Sequence, residues 1–249
     1  MDLRIFACAD LGNTFLKLGV FKGRSVVSST RMAYAANTGS AFLGAAKWLR
    51  KRSVRAIALS SVNRSAEKVL SAALRKQGIT VIRLRKKLPA GMKSAYDLSR
   101  IGTDRLANII AARLDYREKN LMVLCSGTAF TLDVVEGNLH TGGFIAPGQM
   151  TLPASLHEKA DLLPRVIAGP RPVRPGRNTR EAISGGCALL WTGGVRAMAD
   201  FVTASRGKKF RMILTGGGAG GLKGIFPGAK ADEELTFRGI RYLASGGRS

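Results

Sequence analysis

The chain has 249 residues, of which 45% are hydrophobic and 22% charged; these values suit one large or two modest buried cores and exclude a chain dominated by disorder. No run of about eighteen apolar residues occurs, which excludes a membrane-spanning helix of the usual kind. The formal net charge is +24, a field that favours polyanionic partners.

Apolar runs at 4–10, 15–21 and 25–32, separated by Gly12-Asn13-Thr14 and Lys22-Gly23, predict three strands joined by tight turns. They make an antiparallel start to a sheet. Charges at Asp2, Arg4, Asp10 and Lys17 interrupt what a signal peptide would need as an apolar stretch. Residues 41–51, with Phe42, Leu43, Ala46 and Leu49 at helical spacing, predict a helix. A strand at 56–62, a helix at 65–76 and a strand at 80–84 follow, an alternation that predicts a mainly parallel sheet with helices on its faces. A second strong helix is expected over 104–118, carried by Leu106, Ile109, Ile110, Arg113 and Leu114.

Composition shifts at that point. Between Lys47 and Lys93 there are fourteen Lys or Arg residues and one acid, Glu67, whereas residues 121–150 hold no Lys or Arg. A domain boundary is therefore expected near residue 118, giving domains 1–118 and 119–249. The second half repeats the first: strands at 121–124, 130–135 and 143–145 with small-residue turns, DLGNTFLKLGVF standing beside CSGTAFTLDVVE. The proline-rich stretch 169–178 reads as an exposed loop. A long helix at 179–202, a strand at 211–215 and an amphipathic helix at 232–244 complete the chain. Cys8, Cys125 and Cys187 are too scattered for a disulfide framework, so a cytoplasmic protein is expected. His140 and His157 lie on no metal-like spacing and read as structural or surface residues; Trp191, Phe201 and the seven methionines read as core.

Two turns carry the chemistry. After Asp10, Gly12 lets the backbone bend so that neighbouring N–H groups face a phosphate, with Asn13 and Thr14 as short polar donors. Asp10 would hold Mg²⁺ through water, and Lys17 would point into the same cleft. Gly-Asn is also a stock β-turn sequence, so the turn alone is ambiguous. Gly127-Thr128-Ala129 repeats it, and the pair predicts a nucleotide clamp between two domains. Residues 216–221 formally satisfy GxGxxG, but too little chain follows for a dinucleotide fold and no acid stands about twenty positions on. Gly216 and Gly217 are better suited to letting adenine or ribose approach the backbone. The basic stretch has only Trp48 between Phe42 and Tyr96, so it reads either as a solvated face or as a non-specific nucleic-acid contact without base stacking.

Six motifs in order resemble the type III pantothenate kinases, a family within the superfamily of sugar kinases and actin. They are Asp10-Leu-Gly-Asn-Thr-Phe-Leu-Lys17, Gly102-Thr103-Asp104-Arg105, Gly127-Thr128-Ala129-Phe130-Thr131-Leu132-Asp133, Gly142-Gly143-Phe144-Ile145-Ala146-Pro147-Gly148, the set Asn178, Thr179, Ala182, Ile183 and Gly186, and Thr215-Gly216-Gly217. The resemblance implies an α/β fold of two ribonuclease H-like, actin-like ATPase domains with an interdomain nucleotide cleft. It implies phosphorylation of pantothenate by ATP, the first step of coenzyme A biosynthesis, by a homodimer using Mg²⁺ and K⁺ or NH₄⁺. Asp104 would take the substrate hydroxyl's proton. Tyr96, Gly102, Thr103, Arg105 and Thr179 would bind pantothenate, Thr179 from the other subunit. Asp10, Gly12, Asn13, Thr14, Lys17, Gly127, Thr128, Gly216 and Gly217 would bind ATP, with Asp10 at the metal. The family's cation-site aspartate is replaced by Cys125, a thiol mostly neutral at pH 7. The 96–102 segment is also about a residue shorter than the family's and lacks its Asn-Pro. Two further readings stay open: a catalytically weakened homologue with a regulatory or nucleic-acid-associated role, and a kinase of another small hydroxyl compound.

Overall fold

Hydrophobic strands flanked by short polar turns build the first sheet. The computed structural model describes residues 6–34, 38–169 and 171–246; Arg4 and Ile5 of the expected first strand, and Pro170 of the expected loop, lie outside them. The chain divides into two units, residues 1–115 with 234–249, and residues 116–233.

In the first unit β1 (Phe6–Leu11), β2 (Phe15–Lys22) and β3 (Ser25–Ala33) form an antiparallel meander. Helix α1 (Thr38–Arg50) then leads to β4 (Ala56–Ser61), and α2 (Arg64–Lys76) to β5 (Thr80–Arg83). Both later strands run parallel to β1, so the order is β3-β2-β1-β4-β5. β1 is buried along nearly its whole length, as a central strand must be, while β3 at the edge alternates between exposed and half-buried positions. Leu11, Leu16, Leu18, Phe42, Leu49, Ile57, Leu70 and Leu74 fill the core; each such side chain contributes roughly 1.5–3 kcal/mol when fully buried. A two-residue strand, β6 (Lys93–Ser94), precedes α3 (Thr103–Asp115).

The second unit starts with β7 (Asn120–Ser126), β8 (Ala129–Glu136) and β9 (Leu139–Pro147), again an antiparallel meander. Helices α4 (Thr151–Lys159) and α5 (Thr179–Arg206) follow, then β10 (Arg211–Thr215), α6 (Ala219–Ile225) and β11 (Lys230–Ala231). β10 is parallel to β7 and β11 to β10, so β9-β8-β7-β10-β11 repeats the order and sense of the first sheet. The duplication expected from the two turn sequences is thus present in the topology. Phe130, Leu132, Val195, Leu214 and Leu222 pack around Trp191, whose ring meets Phe130 edge-on with centroids 6.4 Å apart. α5 begins where Asn178 caps Glu181 N and stops at Gly207, in the left-handed conformation with φ 59°.

The last helix, α7 (Leu235–Ala244), corrects the expected division. It packs on α3 of the first unit: Thr236 Oγ1 donates to Asn108 Oδ1 at 2.8 Å and Arg238 Nε reaches Asp115 Oδ2 at 2.6 Å. Gly239 lies against the Ala107 backbone so closely that a Cβ would overlap its carbonyl oxygen. Residues 234–249 therefore belong with the amino-terminal unit, not with 119–233. Helix α3 also ends earlier than expected, at Asp115. Phe201 is 62% exposed rather than core, and Met150 is likewise exposed.

Candidate active site

Parallel pairing of β1 and β4 sets their carboxyl ends side by side, with Asp10 opposite Ser60. On the other flank the antiparallel register places Lys17 across from Asp10, and Lys17 Nζ lies 3.9 Å from Asp10 Oδ2. The first turn of α3 joins this edge through a 2.8 Å hydrogen bond between Thr103 Oγ1 and Ser60 Oγ. Asp104 follows, where the free N–H groups of a helix start favour a carboxylate. A Cβ on Gly102 would overlap Asp104 Oδ1, so glycine there leaves room for the carboxylate. Burial pushes the Asp10 carboxyl up to about 6; Lys17 opposes the shift and the neighbouring Asp104 charge adds to it. The sequence-predicted Asp10, Lys17, Gly102, Thr103 and Asp104 thus come together in one partly buried cluster.

The turn after β1 has support that sequence reasoning missed. Gly12 N donates to Phe15 O at 3.0 Å, leaving Asn13 exposed and Thr14 half-buried. Tyr34, 4% exposed, donates its hydroxyl to Gly12 O at 2.5 Å and its backbone N–H to Thr14 O at 3.4 Å. Asn63, the residue that caps α2, donates Nδ2 to the same tyrosine hydroxyl at 3.2 Å. In the first turn of α3, the Arg105 guanidinium lies 5.2 Å from the centre of the Tyr96 ring; Arg105 is buried and Tyr96 36% exposed. Two residues expected to bind substrate are therefore paired.

In the second unit the turn 127–129 closes with Gly127 N donating to Ala129 O at 3.0 Å. Thr128 O accepts from Gly148 N at 2.9 Å and from Thr151 Oγ1 at 2.5 Å, while Ser126 O accepts from Gly218 N at 3.0 Å. A Cβ on Gly148 would overlap Gly127 O, and one on Gly216, whose φ is +86°, would meet Ser126 O at 2.5 Å and Cys125 Sγ at 3.0 Å. Glycines at these positions let three chain segments close around one turn, with Gly217 exposed beside it. Cys125 is flanked in register by Thr215 on β10 and Thr131 on β8. The Thr215 hydroxyl is buried and has no hydrogen-bond partner among the described residues. Asp133, on the same strand as Thr131, is 3.1 Å from His140 Nε2, both residues 1% exposed. Thr179 stands elsewhere, exposed at the start of α5 in a groove with Leu156, Leu163 and Ile183. His157 is at the surface, its Nδ1 2.9 Å from Leu163 O. Among the described residues no group of three or more His, Cys, Asp or Glu is arranged to hold a metal ion.

A meander followed by two parallel strands, present twice and with a glycine turn after the first strand each time, defines the fold class of the actin-like ATPases and sugar kinases. Two solved structures agree: the activator of the 2-hydroxyisocaproyl-CoA dehydratase from Clostridium difficile with bound ADPNP (TM-score 0.56, 9% identity, covering 98% of this chain and 95% of that one), and MreB5 of Spiroplasma citri bound to ADP (TM-score 0.51, 10% identity, 98% and 97%). The sequence model described as type III pantothenate kinase matches residues 6–200, and a type III pantothenate kinase from Alkalilimnicola ehrlichii is 31% identical over 243 residues, 94% of this chain and 96% of that relative. The chain belongs to the type III pantothenate kinase family.

Proposed function

We propose that this chain transfers the γ-phosphoryl group of ATP to the hydroxyl of pantothenate, giving 4′-phosphopantothenate and ADP, the first step of coenzyme A biosynthesis. Family membership supports this reading over a weakened regulatory homologue. The observation that carries it is the cluster of Asp104, Asp10 and Lys17 at the ends of β1 and β4, beside a glycine turn. Asp104 takes the proton of the attacking hydroxyl, the oxygen bonds to the γ-phosphorus, and the bond to the bridging oxygen of ADP breaks. Tyr96, Gly102, Thr103 and Arg105 hold pantothenate next to Asp104, with Thr179 contributed by the second subunit of a homodimer. Exposed Leu189, Leu190 and Phe201 on α5 support that pairing, since water-facing apolar groups favour an interface. Gly12, Asn13, Thr14, Lys17, Gly127, Thr128, Gly216 and Gly217 receive the nucleotide.

Phosphoryl transfer needs charge neutralisation on the phosphates, which Mg²⁺ supplies when bound. Asp10 fits that ion: a carboxylate that burial and Asp104 hold partly protonated gains from a nearby cation. K⁺ or NH₄⁺ fits less well. The family's carboxylate is replaced by the thiol of Cys125 between two threonines, and Asp133 is already engaged with His140. No step is assigned to a monovalent cation. Among the described residues Cys8, Cys125 and Cys187 form no disulfide, which suits a cytoplasmic enzyme.

The test is ADP release by the purified chain with ATP, Mg²⁺ and pantothenate, with the product identified by phosphorus NMR. Asp104→Asn lowers kcat by about 10²–10⁴-fold while KM for ATP changes little. Absence of pantothenate-dependent ADP release in the wild type, or full activity in the variant, would refute the assignment.

A further inference from the structure

The fourteen cations between Lys47 and Lys93 lie within the first unit, and all but Arg52 are exposed. On α2, Arg64, Lys68 and Arg75 occupy one stripe, opposite the buried Ala66, Leu70 and Leu74. Arg50 Nη1 donates to Gln77 O at 3.5 Å, which brings the end of α1, with Lys51, to the end of α2, with Lys76. Thr80 N donates to Arg55 O at 2.9 Å, adding that cation to the same end. At the other end Arg83 is exposed on β5, the last strand of the sheet, and Arg85, Lys86 and Lys87 continue from it. These residues make one basic band along α2 and β5.

Elsewhere in the chain several acids are matched to bases. Glu136 pairs with Arg206 and Lys208, Glu118 with Arg211, Glu181 with Arg174 and Asp115 with Arg238. None of the cations from Lys47 to Lys93 is in an ion pair among the described residues. A surface serving solubility alone intersperses both signs. Cations on an edge strand also deter strand pairing, but that accounts for Arg83 and not for the stripe on α2.

We propose that this band binds the phosphate backbone of a double-helical nucleic acid without reading its sequence. A single strand would call for stacking platforms, and Trp48 is half-buried beneath the Arg52 guanidinium, 3.8 Å away. An anionic membrane would call for an apolar face to insert, and that of α2 is spent in the core. A duplex asks only for spaced cations. Thirteen helical residues span about 20 Å, along which a duplex presents roughly twelve phosphate charges. About five phosphate contacts from one side of the duplex give a slope near −4.5 in log K against log salt. This site is independent of the kinase reading, and none of its residues belongs to the catalytic cluster.

The full chain is titrated against two 20-base-pair DNA duplexes of unrelated sequence, followed by fluorescence anisotropy between about 50 and 200 mM KCl. Both duplexes bind alike, with a slope of about −4 to −5. The triple variant Arg64→Glu, Lys68→Glu, Arg75→Glu weakens binding by about a hundredfold at the lowest salt and leaves pantothenate-dependent ADP release unchanged. The glutamine version of the same triple weakens it less, and circular dichroism checks the fold of both. A control of equal charge change, Lys159→Glu, Arg165→Glu, Lys209→Glu, stays within about threefold of wild type. The proposal is overturned if both glutamate triples weaken binding equally, if binding has no salt dependence, or if phosphatidylserine vesicles bind and the duplexes do not.

Discussion

Asp10 carries a cost that the free chain can report. Unfolded, its carboxyl titrates near 3.8, and folded near about 6. Below about pH 4 both states keep the proton and nothing is lost. As pH climbs through that window the unfolded chain releases its proton first, and the native state loses on the order of 3 kcal/mol by pH 7. Asp10→Asn removes this decline: urea midpoints of variant and wild type converge near pH 4, and the variant is the more stable at pH 7. Tyr34→Phe tests the support beneath the phosphate turn. It deletes the hydrogen bonds to Gly12 O and from Asn63, worth about 1 kcal/mol each. KM for ATP rises about five- to tenfold with kcat nearly unchanged, and an equal fall in kcat would show that the turn matters to chemistry and not to binding. Asp10, Gly12, Gly102 and Asp104 were legible because strand–turn and helix-start chemistry is local. Tyr34 and Asn63 were not, because an ordinary tyrosine and an ordinary helix cap become partners only through the β1–β4 pairing.

At the scale of elements, periodicity and turn residues located β1 to β5, α1 to α3 and β7 to β10 to within a few positions. Helix α6 escaped because Gly216–Gly218 and Gly220–Gly221 read as loop; Ala219, Leu222 and Ile225 make it helical by packing into the second core. α4 escaped for a similar reason, since its one buried residue is Pro153. The α3–α7 contact depends on a residue without a side chain. Gly239→Ala places a methyl group against the Ala107 carbonyl and destabilises the first unit by about 1–3 kcal/mol. A drop in the urea midpoint with no change at the turn 127–129, followed by hydrogen exchange, is the expected pattern. Protection lost equally in β7–β9 would mean that α7 docks otherwise.

Over the whole molecule, charge of one sign prevails. With +24 formal charges the folded chain repels itself, more strongly than the expanded chain does. Raising NaCl from about 20 to about 300 mM shortens the screening length to below about 10 Å, so thermal stability increases over that range; a Tm that is flat or falls with salt would contradict it. The two-unit organisation was legible in the paired turns, and its boundary only in part. An amphipathic period says that 235–244 buries one face, but not which of two cores receives it. That choice has a consequence for biosynthesis. The amino-terminal unit lacks its closing helix until residues 235–244 have left the ribosome, whereas residues 116–233 emerge complete before them. The later-made half is therefore free to fold first, with the earlier-made half waiting on the tail of its own chain.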